Sequence, residues 1–366
     1  MKESITRRRF VAISVSATGL MLGTSLLGGC SPNSESQTTS AASESKGHFA
    51  NGSPRYQNAM NKASKIDSTP DESEALAKFV VISDTHLSLS YTPYIDRLQN
   101  TFEDIAQFAP DNDAIIVNGD ITDHGYPEEY AKFAELAEAS GFAYPDDFVL
   151  VIGNHDQYDS TQGKQAVSNL TDLFREQAGI SDQPHPYYDR TINGVHLILL
   201  GPDSYPEDNW AHFGISDEEV TWMDDMLDAD LDNGKLSFVF LHEPLFYTVR
   251  DTDPGDFGHE WSLSSEDNNN LHDCISKHPN VIFFTGHTHA LPDTVQLDND
   301  EPLYVGTGSA AYCIDDVDDD KLGAGDMSTY GSLGWEGTVW ETCIRFRMRD
   351  FLKHEYSNLG SAIYQF

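Results

Sequence analysis

From Lys78 onward, short apolar runs alternate with longer amphipathic stretches. The runs are Phe79–Ser83, Ala114–Val117, Phe148–Ile152, Val195–Leu200, Leu236–Leu241 and Val281–Thr285. Each is rich in β-branched or aromatic residues and has the length of a buried strand. Helical stretches separate them, clearest at Ile95–Phe108, Glu128–Ala139, Ser168–Ala178, Asp217–Leu231 and Asn268–Lys277. This alternation predicts an α/β architecture with buried sheets. Toward the end, Glu301–Ser309 and Gly337–Arg349 each predict a strand, so an antiparallel segment should complete a sheet. Between them, Asp315–Lys321 is acidic but lacks the ligand spacing and central Gly of a calcium loop, and reads as a solvated loop.

The N-terminal fifth of the chain is different. Residues 31 to about 75 are rich in Ser, Thr, Asn, Gln and Glu and predict a flexible tether. Before them, Thr6-Arg7-Arg8-Arg9-Phe10 precedes an apolar run from Ala12 to Leu27, the layout of an export signal. The paired arginines resemble a twin-arginine signal. The ending Leu27-Gly28-Gly29-Cys30 resembles a lipobox, which would make Cys30 the acylated first residue of the mature chain. A short membrane anchor and a plain signal are the alternatives, although the run is shorter than the roughly 20 residues a span requires. The predicted organisation is therefore a signal at 1–29, a tether at 30–75 and a folded domain at 76–366. Within that domain the core covers 78–310 and C-terminal strands occupy 311–366.

Composition narrows the function. The formal net charge is −38, and the predicted signal carries four basic groups against one acidic, so its removal makes the chain more acidic still. Such a chain repels nucleic acid and anionic surfaces, and an anionic substrate would need a local positive centre. The cysteines are Cys30, Cys274, Cys313 and Cys343. With Cys30 lipidated, at most one intramolecular disulfide is possible, between Cys313 and Cys343 for instance. No Cys-x-x-Cys pair exists, so a metal site would use oxygen and imidazole donors.

Polar residues gather where the apolar runs stop. Phe79–Ser83 ends in Asp84-Thr85-His86, and Ala114–Val117 in Asn118-Gly119-Asp120 followed by Asp123. Phe148–Ile152 ends in Gly153-Asn154-His155-Asp156, Leu236–Leu241 in His242-Glu243-Pro244, and Val281–Thr285 in Gly286-His287-Thr288-His289. Singly, each cluster is ordinary loop chemistry. Jointly they put five of the fourteen histidines at strand ends, where α/β sheets build their sites. If the strands share a sheet and a direction, the clusters meet on one rim. Asp, Asn and His donors suit Mn, Fe, Zn, Ni or Co. Glycines 119, 153 and 286 would let backbone and ions approach closely.

These blocks resemble the signature of the calcineurin-like metallophosphoesterases, across residues 84 to 289. The resemblance implies a four-layer α/β/β/α sandwich of two mixed sheets flanked by helices. It also implies two divalent ions, with Asp84, His86 and His289 holding the first and Asn154, His242 and His287 the second. Asp120 would bridge them, His155 would face the leaving group without binding metal, and Asp123 would lie behind His155 and orient it. The implied reaction is hydrolysis of small phosphate esters, phosphodiesters above all, by a hydroxide shared between the ions with His155 as general acid. The protein phosphatase branch has Arg where His124 stands, and the purple acid phosphatase branch has Tyr where Asp123 stands. Both departures leave the cyclic-nucleotide and general phosphodiesterase branch as the nearest in pattern. The alternatives are a phosphomonoesterase or nucleotidase, and a non-catalytic, metal-containing surface lipoprotein. Arg250 is either a substrate contact or a salt-bridge partner, and His259 and Trp261 are either cleft or plain loop residues.

Overall fold

The computed structural model describes residues 69–157, 164–203, 214–296, 302–313, 331–341 and 343–365. The predicted signal, Cys30, nearly all of the tether and the acidic loop Asp315–Lys321 lie outside the described residues. In chain order the described elements begin β1 (Ala77–Ile82), α1 (Thr92–Phe108), β2 (Ala114–Asn118), α2 (Pro127–Ala139), β3 (Phe148–Val151), α3 (Asn154–Gln157) and α4 (Lys164–Gln177). Next come β4 (Tyr188–Ile192), β5 (Val195–Leu199), α5 (Asp217–Asp232), β6 (Ser237–Phe240), α6 (Phe257–Glu260) and α7 (Ser265–Ile275). The chain closes with β7 (Val281–Thr285), β8 (Asp293–Gln296), β9 (Leu303–Gly306), β10 (Leu333–Val339), β11 (Cys343–Asp350) and β12 (Glu355–Gln365).

Among the described residues the strands form two six-stranded sheets, ordered β12-β11-β10-β1-β2-β3 and β4-β5-β6-β7-β9-β8. Both are mixed. The pairs β1–β2, β2–β3, β5–β6, β6–β7 and β7–β9 are parallel, and the remaining pairs antiparallel. Gly337–Arg349, expected as one strand, is a hairpin: β10 and β11 pair antiparallel, with Trp340 N–H donating to Cys343 O across the turn.

Side-chain alternation sets the layers. Phe238 and Phe240 point from β6 toward the first sheet, where Phe238 meets Phe79 edge-on at 5.6 Å. Val239 and Leu241 point the other way, into a cluster with Met223 and Leu227 of α5 and Leu271 and Ile275 of α7. Leu98, Phe102 and Ile105 of α1 and Tyr130 and Phe133 of α2 pack with the first sheet's strands in the main core. The order is thus helix, sheet, sheet, helix, as expected. Burying each such Phe or Leu stabilises by about 1.5–3 kcal/mol, which fixes the sheets face to face. Ser216 caps α5 by accepting from Glu219 N–H, and Ser264 caps α7 by accepting from Asp267 N–H. Cys274, Cys313 and Cys343 are all buried as thiols.

Candidate metal centre

The parallel strands deliver their carboxyl ends to one place, but from both sheets. Asp84, Asp120 and Asn154 follow β1, β2 and β3 of the first sheet, whereas His242 and His287 follow β6 and β7 of the second. The rim expected of a single sheet is therefore a seam between two. Beyond the strands the loops remain stitched together. Asp84 N–H donates to Gly119 O, His86 N–H to Asp120 O and Gly286 N–H to His242 O, at 3.0 Å each.

Tight approach explains the glycines. Gly119 has φ +84°, and a Cβ there would overlap the His242 ring. A Cβ on Gly153 would overlap the main-chain N and Oδ1 of Asp120.

Asp84, His86 and His289 form one buried group and Asp120, His242 and His287 another, the donor atoms in each within 4.8 Å of one another. Asp84 Oδ1 is 3.0 Å from His289 Nε2, and His86 Nε2 is 2.9 Å from His289 Nε2. Asp120 Oδ2 reaches both groups, 3.6 Å from His86 Nε2 and 3.2 Å from His242 Nε2. Asn154 Oδ1 lies 3.0 Å from His287 Nδ1.

The outer ring nitrogens show which atoms face inward. His242 Nδ1 donates to Asn118 O at 2.8 Å, His287 Nε2 to Trp261 O at 2.9 Å and His289 Nδ1 to Tyr312 O at 3.2 Å. In a neutral ring each of these bonds leaves the other nitrogen as a lone-pair donor aimed at the centre. His287 then sets Nδ1 against Asn154 Oδ1, two acceptors in contact. Asp84 Oδ1 and His242 Nε2 are buried and make no aligned hydrogen bond despite near polar neighbours. Polar atoms crowded together in this way fit a cation, since donors around one ion with bonds of about 2.0–2.2 Å stand roughly 3–3.6 Å apart. The residues present therefore fit a pair of metal ions.

Electrostatics agree. Burial alone would raise the Asp84 carboxyl, but His289 and His242 outweigh it and bring it to about 2. Burial opposes charge on His242, yet Asp120 and Asp84 hold its pKa well above the usual imidazole value. Burial, followed by the His242 charge, lowers His287 to about 3. The centre is a buried negative field that attracts positive charge.

His155 sits at the rim, its side chain 40% exposed, with its ring edge-on to His86 at 4.6 Å. Its Nδ1 donates to the main-chain O of Asp123 at 2.9 Å. The Asp123 carboxylate is 3.6 Å from that nitrogen and 3.4 Å from His86 Nδ1. It thus lies within reach of both rings.

Several contributors stand outside the expected ligand set. The buried Asp156 accepts from the N–H groups of Gly153, Ile121 and Thr122 and pins two of the loops together. Burial and then Asp120 push its carboxyl up to about 6. The carbonyls of Asn118, Trp261 and Tyr312 set the histidine tautomers, and carbonyls have no sequence signal. Trp261 thus reaches the site through its backbone, while His259 stacks on Phe246 with centroids 4.0 Å apart. Arg250 pairs with the buried Asp293, Nε to Oδ2 at 3.8 Å, the salt-bridge alternative. His124, in the place of the absent Arg, is held by Glu129 at 2.9 Å.

The family model for calcineurin-like phosphoesterases matches residues 77–291. A probable glycerophosphodiester phosphodiesterase of Arcobacter nitrofigilis is 26% identical, over 59% of this chain and 73% of its own. A probable cyclic nucleotide phosphodiesterase of Rhodococcus erythropolis is 28% identical, over 47% of this chain and 54% of its own, about half that relative's length. Among solved structures, a dimetal phosphatase from Danio rerio superposes with TM-score 0.57 at 12% identity, covering 80% of this chain and 99% of that one. A purple acid phosphatase from yellow lupin gives 0.54 at 14% identity, covering 79% and 53%. These two likenesses speak to the fold.

Proposed function

The chain belongs to the calcineurin-like phosphoesterase family and is a metal-dependent phosphoric ester hydrolase, and from that premise we propose that it hydrolyses small phosphodiesters. The observation that carries this is the ring of inward-facing Asp, Asn and His donors supplied by both sheets. Two relatives with diesterase names support the substrate class. Asp84, His86 and His289 would hold one ion, Asn154, His242 and His287 the other, and Asp120 lies within reach of both groups. The donor set suits Mn, Fe or Zn. When bound, the two ions supply an acidified water and neutralise charge on the phosphoryl oxygens.

The chain's own residues handle the leaving group. His155 Nδ1 is committed to the Asp123 carbonyl, so Nε2 is the nitrogen left to deliver a proton to the departing oxygen. The Asp123 carboxylate stands 3.6 Å from the same Nδ1, on the side of the ring away from Nε2. The N-terminal sequence supports export and anchoring through a lipid on Cys30, which would place the reaction outside the cytoplasm.

Steady-state rates on an aryl phosphodiester with Mn²⁺ supplied test the reading. His155→Ala should lose turnover by about 10²–10⁴-fold with its metal content kept. Asp120→Ala should lose metal as well. Faster hydrolysis of the matching monoester would favour a phosphomonoesterase instead. Full metal occupancy with no hydrolysis of any ester would favour a binding protein.

A further inference from the structure

The helical layer over the second sheet carries a side-chain group that takes no part in this chemistry. Asp224 and Asp228 lie one turn apart on α5, so they share a face. Cys274 stands in the last turn of α7, which packs against α5, and His278 follows three residues beyond that helix's end. Cys274 Sγ is 3.2 Å and His278 Nε2 3.0 Å from Asp224 Oδ1. Asp228 Oδ1 is 3.9 Å from the same His278 nitrogen. One donor atom each from Asp224, Cys274 and His278 lies within 4.8 Å of the others. The thiol and imidazole are buried, whereas the two carboxylates reach solvent, so an ion could enter from outside.

Donors around a tetrahedral ion with bonds of about 2.0–2.3 Å stand about 3.3–3.8 Å apart. The observed separations bracket that range, so small side-chain movements suffice. A buried Cys ordinarily packs as a small apolar group. Here it faces a carboxylate and an imidazole, and a second carboxylate approaches the same imidazole. Sulfur, nitrogen and oxygen together select zinc-type ions over magnesium or calcium. We propose that Asp224, Asp228, Cys274 and His278 form a further metal site, for one zinc-type divalent cation, that braces α5 against α7. Four protein donors close such a site, which makes it structural rather than catalytic.

Cobalt(II) loading of the full-length protein tests this independently of any activity. A thiolate bound to cobalt gives a charge-transfer band in the near ultraviolet, which oxygen and imidazole ligands do not give. The proposed catalytic centre contains no sulfur, so the band reports the new site. The expected result is a band in the wild type that Cys274→Ser removes and Cys313→Ser retains. Cys274→Ser should also bind about one equivalent less metal per chain, with phosphodiester turnover unchanged. Should that variant not fold, Asp224→Asn on the solvent side should weaken the band instead. No band in cobalt-loaded wild type overturns the proposal and leaves a hydrogen-bonded cluster. A band that survives Cys274→Ser, or that Asp224→Asn leaves unaltered, overturns it equally.

Discussion

His155 and His86 touch, yet differ in what surrounds them. His86 is buried against Asp84 and Asp120, while His155 stands at the rim with one nitrogen tied to a carbonyl. A proton donor matters most when the leaving oxygen is basic. The His155→Ala deficit should therefore be larger for an alkyl ester than for a nitrophenyl ester. Equal deficits in steady-state rates would remove His155 from that role. Gly153 offers the converse case. A methyl there collides with Asp120, not with His155. Gly153→Ala should lose bound metal and turnover together, measured by elemental analysis and rate, with the circular dichroism of the fold retained. The residue types of the centre were legible in the sequence because each ends an apolar run. Its orienting carbonyls were not, because a main-chain oxygen looks the same in every residue. The hold on His155 comes from the carbonyl of Asp123, with its carboxylate 3.6 Å from the same nitrogen.

At the scale of elements, the site is made by how strands end. Asp84, His86, Asp120, His287 and His289 have φ of 52°, 43°, 49°, 66° and 55°, the left-handed region that L side chains avoid. Each costs about 1–3 kcal/mol, and the surrounding stitching holds it. With the ligand removed either way, Asp84→Gly should be more stable than Asp84→Ala by about 1 kcal/mol. Urea unfolding of the two variants measures it, and the reverse order would mean the backbone there is not strained. The central strands were readable because burial on both faces demands unbroken apolar runs. The missed strands are β4 and β8, both sheet edges, where polar residues such as Asp189, Arg190, Asp293 and Gln296 interrupt the pattern. The β10–β11 hairpin was read through because Trp340-Glu341-Thr342 carries no Gly, Pro, Asn or Asp to mark the turn.

At the scale of the molecule, a net charge of −38 makes any buried carboxylate a matter of stability. Glu219 of α5 is fully buried and accepts from Gly201 N–H at 2.8 Å. Burial first, then Asp203 and Glu243, hold its pKa well above the ordinary carboxylate value. The folded state therefore binds this proton more tightly than the unfolded chain. Its stabilising contribution is complete below the unfolded pKa and is lost as pH rises through the folded one, by at most about 1.4 kcal/mol per pH unit. Glu219→Gln keeps the acceptor without the charge. Calorimetry should show wild-type Tm falling more steeply than the variant's from pH 5 to 8, and parallel curves would refute it.

Because the candidate ligands come from both halves of the sandwich, a loaded centre would act as a rivet through the joint. Sliding one layer past the other would pull Asp120 away from His242 before it disturbed a single strand pairing. Occupancy then becomes a gauge of alignment, and a mutation deep in the interlayer packing could silence the enzyme without altering any residue that touches an ion.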